Sequence, residues 1–168
     1  MESAKILVVD DDPDIVAVLD ELLRKEGLQV TTCATGGDAI AAGRDEQFDV
    51  VVVDIRLPDV DGLAVLRAFQ ESSPEVAVIV TTAFGTVETA IEAIKTGAYD
   101  YIPKPFKLDE VRIVVRRALE RKRLLQENRR YRQELRGKYR LRTWWAPAGR
   151  CSRRSRPSHG WLPHGARY

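Results

Sequence analysis

The sequence predicts an α/β fold in which a parallel sheet lies between two layers of helices. Short apolar runs recur along the 168 residues, separated by longer stretches of helical periodicity. Side chains able to do chemistry stand just after four of these runs, at the carboxyl ends where open α/β sheets collect their sites. The strand–helix alternation repeats five times within the first 120 residues or so, which makes one three-layer domain.

Ile6–Val9 is the first strand, and Asp12-Pro13-Asp14 opens a helix with acids and a proline in its first turn. Ile15, Val18, Leu19, Leu22 and Leu23 form its apolar stripe, and Gly27 ends it. Gln29–Cys33 alternates enough to be a strand near the sheet edge. Gly36-Gly37-Asp38 starts a second helix that turns Ala39, Ile40 and Ala42 inward and runs to about Glu46. Val50–Val53 is a strand buried on both faces. Pro58–Gly62 is a loop entering a third helix, which Ser73-Pro74 breaks. Val76–Val80 is the fourth strand. Val87, Ala90, Ile91 and Ile94 line a fourth helix, ended by Gly97. Tyr99–Ile102 is the fifth strand, and Leu108–Leu119 begins the fifth helix.

From Asp109 to about Lys138 the only helix breaker is Gly137, so the last helix is expected to run on as a linker. Leu124, Asn128, Tyr131 and Leu135 recur at coiled-coil spacing, with the asparagine at a core position that favours a parallel dimer. The seam covers barely two heptads, so a solvated, arginine-rich helix is the competing reading.

The net charge of +2 hides an asymmetry. Residues 1–111 hold 9 Lys/Arg against 22 Asp/Glu, a balance of −13. Residues 112–168 hold 18 against 3, a balance of +15. An acidic domain is followed by a basic extension, which suits nucleic acid, an acidic surface or plain solvation. No segment approaches the roughly 20 apolar residues of a membrane helix. Met1–Lys5 leads straight into a strand, so no signal peptide is expected. Cys33 and Cys151 fit no disulfide framework, and we expect a cytoplasmic protein.

Asp54 ends the four-valine run, Asp10-Asp11-Asp12 ends the first strand, Thr81-Thr82 the fourth, and Lys104 lies between two prolines after the fifth. Any one of these residues could be a solvated loop or cap residue. Together they describe a magnesium and phosphoryl site. A carboxylate attacks a crowded, anionic phosphorus poorly unless a divalent ion screens donor and acceptor. Mg²⁺ is hard and octahedral and takes oxygen ligands. Pro105 after Lys104 points to a cis peptide there. Thr81 is expected on the other face by alternation, so Thr82 is the hydroxyl of choice, with Ala83 leaving space beside it.

Residues 4 to about 120 resemble a response-regulator receiver domain of the CheY-like fold. The resemblance rests on Ile6–Asp12, Asp54-Ile55-Arg56-Leu57-Pro58-Asp59-Val60-Asp61-Gly62, Thr81-Thr82-Ala83 and Tyr101-Ile102-Pro103-Lys104-Pro105-Phe106. It implies a doubly wound five-stranded sheet in the order 2-1-3-4-5. It further implies that Asp54 accepts a phosphoryl group from a sensor histidine kinase and also ligates Mg²⁺. Asp11 would be the second direct ligand, the main-chain carbonyl of Arg56 a third, and Asp10 would act through water. Asp12 leaves the register of the acids open, but counting from the apolar run puts it nearer the helix cap. Lys104 would meet the phosphoryl oxygens. Thr82 and Tyr101 would form the switch that reshapes the face of helix four, strand five and helix five, which usually dimerises. Such a protein is a switch rather than an enzyme, catalysing only its own phosphorylation and dephosphorylation.

The stretch from Ala118 to Arg140 resembles the linker of NtrC-type transcription activators, where an ATPase and a DNA-binding helix-turn-helix would follow. The expected organisation is a receiver over 1–120, a helical linker over 121–141 and a disordered basic tail over 142–168. That tail has no period. One base lost at the Leu141 codon would explain it, since the same bases can encode Glu-Asn-Val-Val-Gly-Thr-Ser-Arg-Ala-Met in the other frame. The competing readings are a nucleic-acid tail using Trp144 and Trp145 and, with poor spacing, a metal site from Cys151, His159 and His164. A Mg²⁺-dependent phosphohydrolase is a further alternative. It needs a general acid two residues after Asp54, where Arg56 stands, and a covering cap.

Overall fold

The computed structural model describes residues 3–83 and 87–140, with side chains as far as residue 133 except that of Val87, which lies outside the described side chains. The elements are β1 (Lys5–Val9), α1 (Pro13–Lys25), β2 (Gln29–Cys33), α2 (Gly36–Asp45), β3 (Val50–Asp54), α3 (Gly62–Ser72), β4 (Ala77–Thr82), α4 (Val87–Thr96), β5 (Asp100–Pro103) and α5 (Leu108–Arg140). The strands are all parallel in the order β2-β1-β3-β4-β5. Strand order reverses at β1, so the carboxyl ends of β1 and β3 stand side by side at the switch point.

The valine-rich strands are buried on both faces and feed two cores. Leu7, Val9, Val51, Val53, Val78 and Val80 pack against α2, α3 and α4 through Ala39, Leu66, Phe69 and Ala93. Ile6, Val8, Val50, Val52, Ile79 and Ile102 pack against α1 and α5 through Leu19, Leu23, Val111, Val115 and Ala118. Gly27 and Gly97 end α1 and α4 at φ values of 80° and 106°, a conformation that glycine alone adopts without penalty.

The apolar stripes read from the sequence need two corrections. Ile91 and Ile94 of α4 are 47% and 50% exposed, and the helix seats the small Ala93 instead. On α1, Leu19 and Leu23 are buried while Val18 faces outward. β4 also extends through both threonines, so Thr81 and Thr82 are strand residues.

Along α5 the buried positions Val111, Val115 and Ala118 are followed by Lys122, at the same helical spacing. Its ammonium reaches Asp49 at 2.7 Å. Arg129 pairs with Glu75 further on. One compact unit spans Met1–Arg130. A second covers Tyr131–Tyr168, and its described part, residues 131–140, is helical. Leu135 of the expected seam, together with Trp144, Trp145, Cys151, His159 and His164, lies outside the residues whose side chains are described. So does the frame question at Leu141. Among the described residues no helix is long and apolar enough to cross a membrane.

Candidate functional site

The site forms where β1, β3, β4 and β5 end. Asp10 follows β1 and is 2% exposed, and Asp54 ends β3 and is 5% exposed. Carboxylates this deep need partners. Lys104, just after β5, supplies one ammonium to both: Nζ lies 2.7 Å from Asp10 Oδ2 and 2.5 Å from Asp54 Oδ2. The Lys104 N–H donates to the Thr82 carbonyl at 2.7 Å, which ties the lysine's backbone to β4. The Lys104–Pro105 peptide is cis.

Asp11 is exposed, yet it can offer an oxygen within 4.8 Å of oxygens from Asp10 and Asp54. Among the described residues these three carboxylates gather in one place. Asp12 does something else: its Oδ1 accepts the Asp14 N–H at 3.0 Å and caps α1, while its own N–H donates to Asp10 Oδ1 at 3.0 Å. The Arg56 N–H donates to Asp54 Oδ1 at 3.2 Å, so the chain folds back over the Asp54 carboxylate. A Cβ at Gly62 would overlap the Asp54 carbonyl, so only glycine permits this return.

The acids outnumber their cation. Burial, the largest effect, pushes the Asp10 carboxyl above its ordinary value. Hydrogen bonds from Lys104 and the Asp12 amide, together with the Lys104 charge, pull it down without prevailing, and the Asp54 charge adds to the rise. Burial also works to lower the Lys104 ammonium, but its bonds to Asp10 and Asp54 and their charges outweigh this and raise it. One partly buried ammonium thus serves two carboxylates.

The two threonines divide differently from the alternation argument. The ladder pairs Asp54 with Thr81, so Thr81 shares Asp54's face of the sheet. Its hydroxyl turns to the Val53 carbonyl at a long 3.5 Å. Thr82, buried and last in β4, lies on the face of Val80, whose ladder partner is Tyr101. Thr82 and Tyr101 are therefore neighbours on one face. The Tyr101 ring packs against the α4-side core, and its buried hydroxyl has no hydrogen-bond partner among the described residues. Tyr99 and Phe106 pack against the other core.

Oxygen donors of this kind suit a hard divalent ion. Asp10, Asp11 and Asp54 fit Mg²⁺ by donor chemistry, with Lys104 as a fixed charge beside them. Cavities of about 290 and 590 Å³ lie elsewhere, one between α2 and α3 and one between the amino ends of β4 and β5 and α5. Neither touches these acids. The sequence reading missed Asp59, whose carboxylate holds the amino end of α2. The signal available for it was an acid in the loop after β3 and a glycine pair opening a helix.

Comparison with known proteins bears on this geometry. The response regulator receiver domain family matches residues 6–116. The transcriptional regulatory protein ZraR of Salmonella typhimurium is 41% identical over 114 residues, covering 68% of this chain and 26% of that protein. The DNA-binding transcriptional regulator NtrC of Proteus hauseri is 39% identical over 119 residues, covering 71% of this chain and 25% of that protein. This chain thus spans about a quarter of the length of the curated relatives it matches. The beryllofluoride-activated NtrC4 receiver domain dimer superposes with a TM-score of 0.68 at 36% identity, covering 70% of this chain and 98% of that one.

Proposed function

Because the chain belongs to the response regulator receiver domain family, we propose that it is the phosphoacceptor switch of a two-component system. The observation that carries this reading is the buried pair Asp10 and Asp54, bridged by Lys104, with Asp11 beside them. An Asp54 oxygen attacks the phosphorus of a phosphohistidine on a sensor kinase. The new P–O bond forms as the P–N bond breaks, and the imidazole leaves with its electron pair and takes up a proton. Bound Mg²⁺ would screen the charge on donor and acceptor. Asp11, Asp54 and the Arg56 carbonyl would hold it directly, and Asp10 through water. Lys104 then turns from the carboxylates to the phosphoryl oxygens, and the Thr82 hydroxyl donates to another.

The output reading follows from the shared face of Thr82 and Tyr101. Movement of Thr82 toward the phosphoryl group makes room that Tyr101 fills, and the α4–β5–α5 surface changes with it. Phosphorylation would bias an equilibrium already present. Ile91, Ile94, Leu108 and Ile113 lie exposed on α4 and the first turns of α5, which supports a homodimer there. The exposed Leu124 on α5 supports a second contact through the helical linker at 121–141. The likeness to ZraR and NtrC supports an origin in an activator of that type, acting on DNA through domains beyond this chain.

Peptide mapping after incubation with acetyl phosphate and Mg²⁺ tests the proposal. A phosphoryl group on the peptide containing Asp54 is expected. Its appearance on any other residue would overturn the assignment.

A further inference from the structure

Asp59 stands in the segment between β3 and α3, and its carboxylate is spread over the amino end of α2. Oδ1 accepts the Gly36 N–H at 2.9 Å and Oδ2 the Gly37 N–H at 2.7 Å. The helix's own cap, Thr35, serves the Asp38 N–H at 3.2 Å, so the earlier amides fall to Asp59. These two bonds, Gly37 first, hold the Asp59 carboxyl below its ordinary value. The helix is shaped to receive the loop, because a Cβ at Gly36 would overlap methyls of Val60 and Val65.

The same segment is tied on its inner side to the acceptor. Arg56 and Asp61 form an isolated antiparallel bridge, the Gly62 N–H donates to the Ile55 carbonyl at 2.8 Å, and the Arg56 N–H donates to Asp54 Oδ1. One short loop is thus fastened to Asp54 at one side and to the positive end of α2 at the other.

We infer that Asp59 is a positioning residue for the divalent-ion site: by fastening this loop to α2 it fixes the Arg56 main chain beside Asp54 and sets how tightly the site takes its ion. The inference rests on the metal-dependent reading proposed above. Without the brace, ion binding must also order the loop, and affinity falls by the cost of that ordering.

The test uses Mn²⁺ as the probe, with free ion counted by electron paramagnetic resonance on the full chain. Asp59→Ala is expected to weaken Mn²⁺ binding about tenfold while the far-ultraviolet circular dichroism stays unchanged. The deficit should persist in about 1 M KCl, where charges are screened within about 3 Å. The phosphorylation rate should recover at saturating Mg²⁺, so that the apparent ion constant moves and the maximal rate does not. Unchanged affinity, or a deficit that vanishes in KCl, would overturn the brace. Asp59→Asn keeps one acceptor oxygen and serves if the alanine variant does not fold; a smaller loss is expected, with the same contrary results. If wild type and Asp54→Ala bind Mn²⁺ alike, the proposed metal site itself falls, and this inference with it.

Discussion

Strand β3 has an acid at each end, and each acid meets a lysine. At its start, Asp49 accepts the Lys122 ammonium through Oδ1 and the Lys5 N–H through Oδ2, both at 2.7 Å. Lys122 also donates to the Phe48 carbonyl at 3.3 Å. The charges there match one to one, the carboxylate uses both oxygens, and β1, β3 and α5 are pinned together. At the other end, Asp54 shares the single Lys104 ammonium with Asp10, and Asp11 adds a third carboxylate nearby. The first arrangement is satisfied by the protein alone. The second gathers more carboxylates than ammonium groups, and its donor set suits a further cation. The same pair of residue types is a clamp in one place and a receptive site in the other, and stoichiometry makes the difference.

Three substitutions sharpen that contrast. Lys104→Ala leaves Asp10 and Asp54 facing each other without their counter-charge. It should lower the stability of the metal-free protein by about 3 kcal/mol, and thermal melts should show part of the loss recovered with saturating Mg²⁺. Melts that ignore Mg²⁺ would mean the ion does not enter this cluster.

Asp10→Asn should act in the opposite sense. The Asp10 carboxyl is raised by burial, so its stabilising contribution is present below the ordinary carboxylate value. That contribution is lost as pH rises through the raised value in the fold, and at neutral pH the ionised form is a cost. The asparagine variant should therefore melt higher than wild type without metal, yet bind Mg²⁺ more weakly by calorimetry. In the wild type, protons compete for a carboxylate of raised pKa, so Mg²⁺ affinity should begin to fall on acidification above the ordinary carboxylate range. A titration that tracks an ordinary carboxylate would contradict this.

Lys122→Ala should cost least, about 1 kcal/mol for a partly exposed pair. Its melting temperature should respond to Mg²⁺ as wild type does, and its phosphorylation should be unchanged. A phosphorylation defect would show that the two ends of β3 are coupled.

The strands were legible because both faces of β3 and β4 are buried, which leaves uninterrupted valine and isoleucine. Asp10, Asp54 and Lys104 were legible because they stand beside such runs. The face of α4 was not, since size and polarity favoured Ile91 and Ile94 while the sheet accepts the small Ala93. Which threonine shares Asp54's face needed the register, since alternation within one strand carries no information about the strand beside it. Lys122 with Asp49, and Asp59 with Gly36 and Gly37, join positions far apart in the chain. Lys122, Asp49 and Asp59 each read alone as an ordinary solvated charge.

The central claim, that the surplus acid at the carboxyl end of β3 is a metal-dependent phosphoacceptor, is tested most directly by intact mass. Wild type, Lys122→Ala and Asp54→Ala would be incubated with acetyl phosphate, each with Mg²⁺ and with chelator. One added phosphoryl group on wild type and Lys122→Ala, present only with Mg²⁺ and absent from Asp54→Ala, is the predicted result. A phosphoryl group on Asp54→Ala, or equal uptake in chelator, would contradict the account.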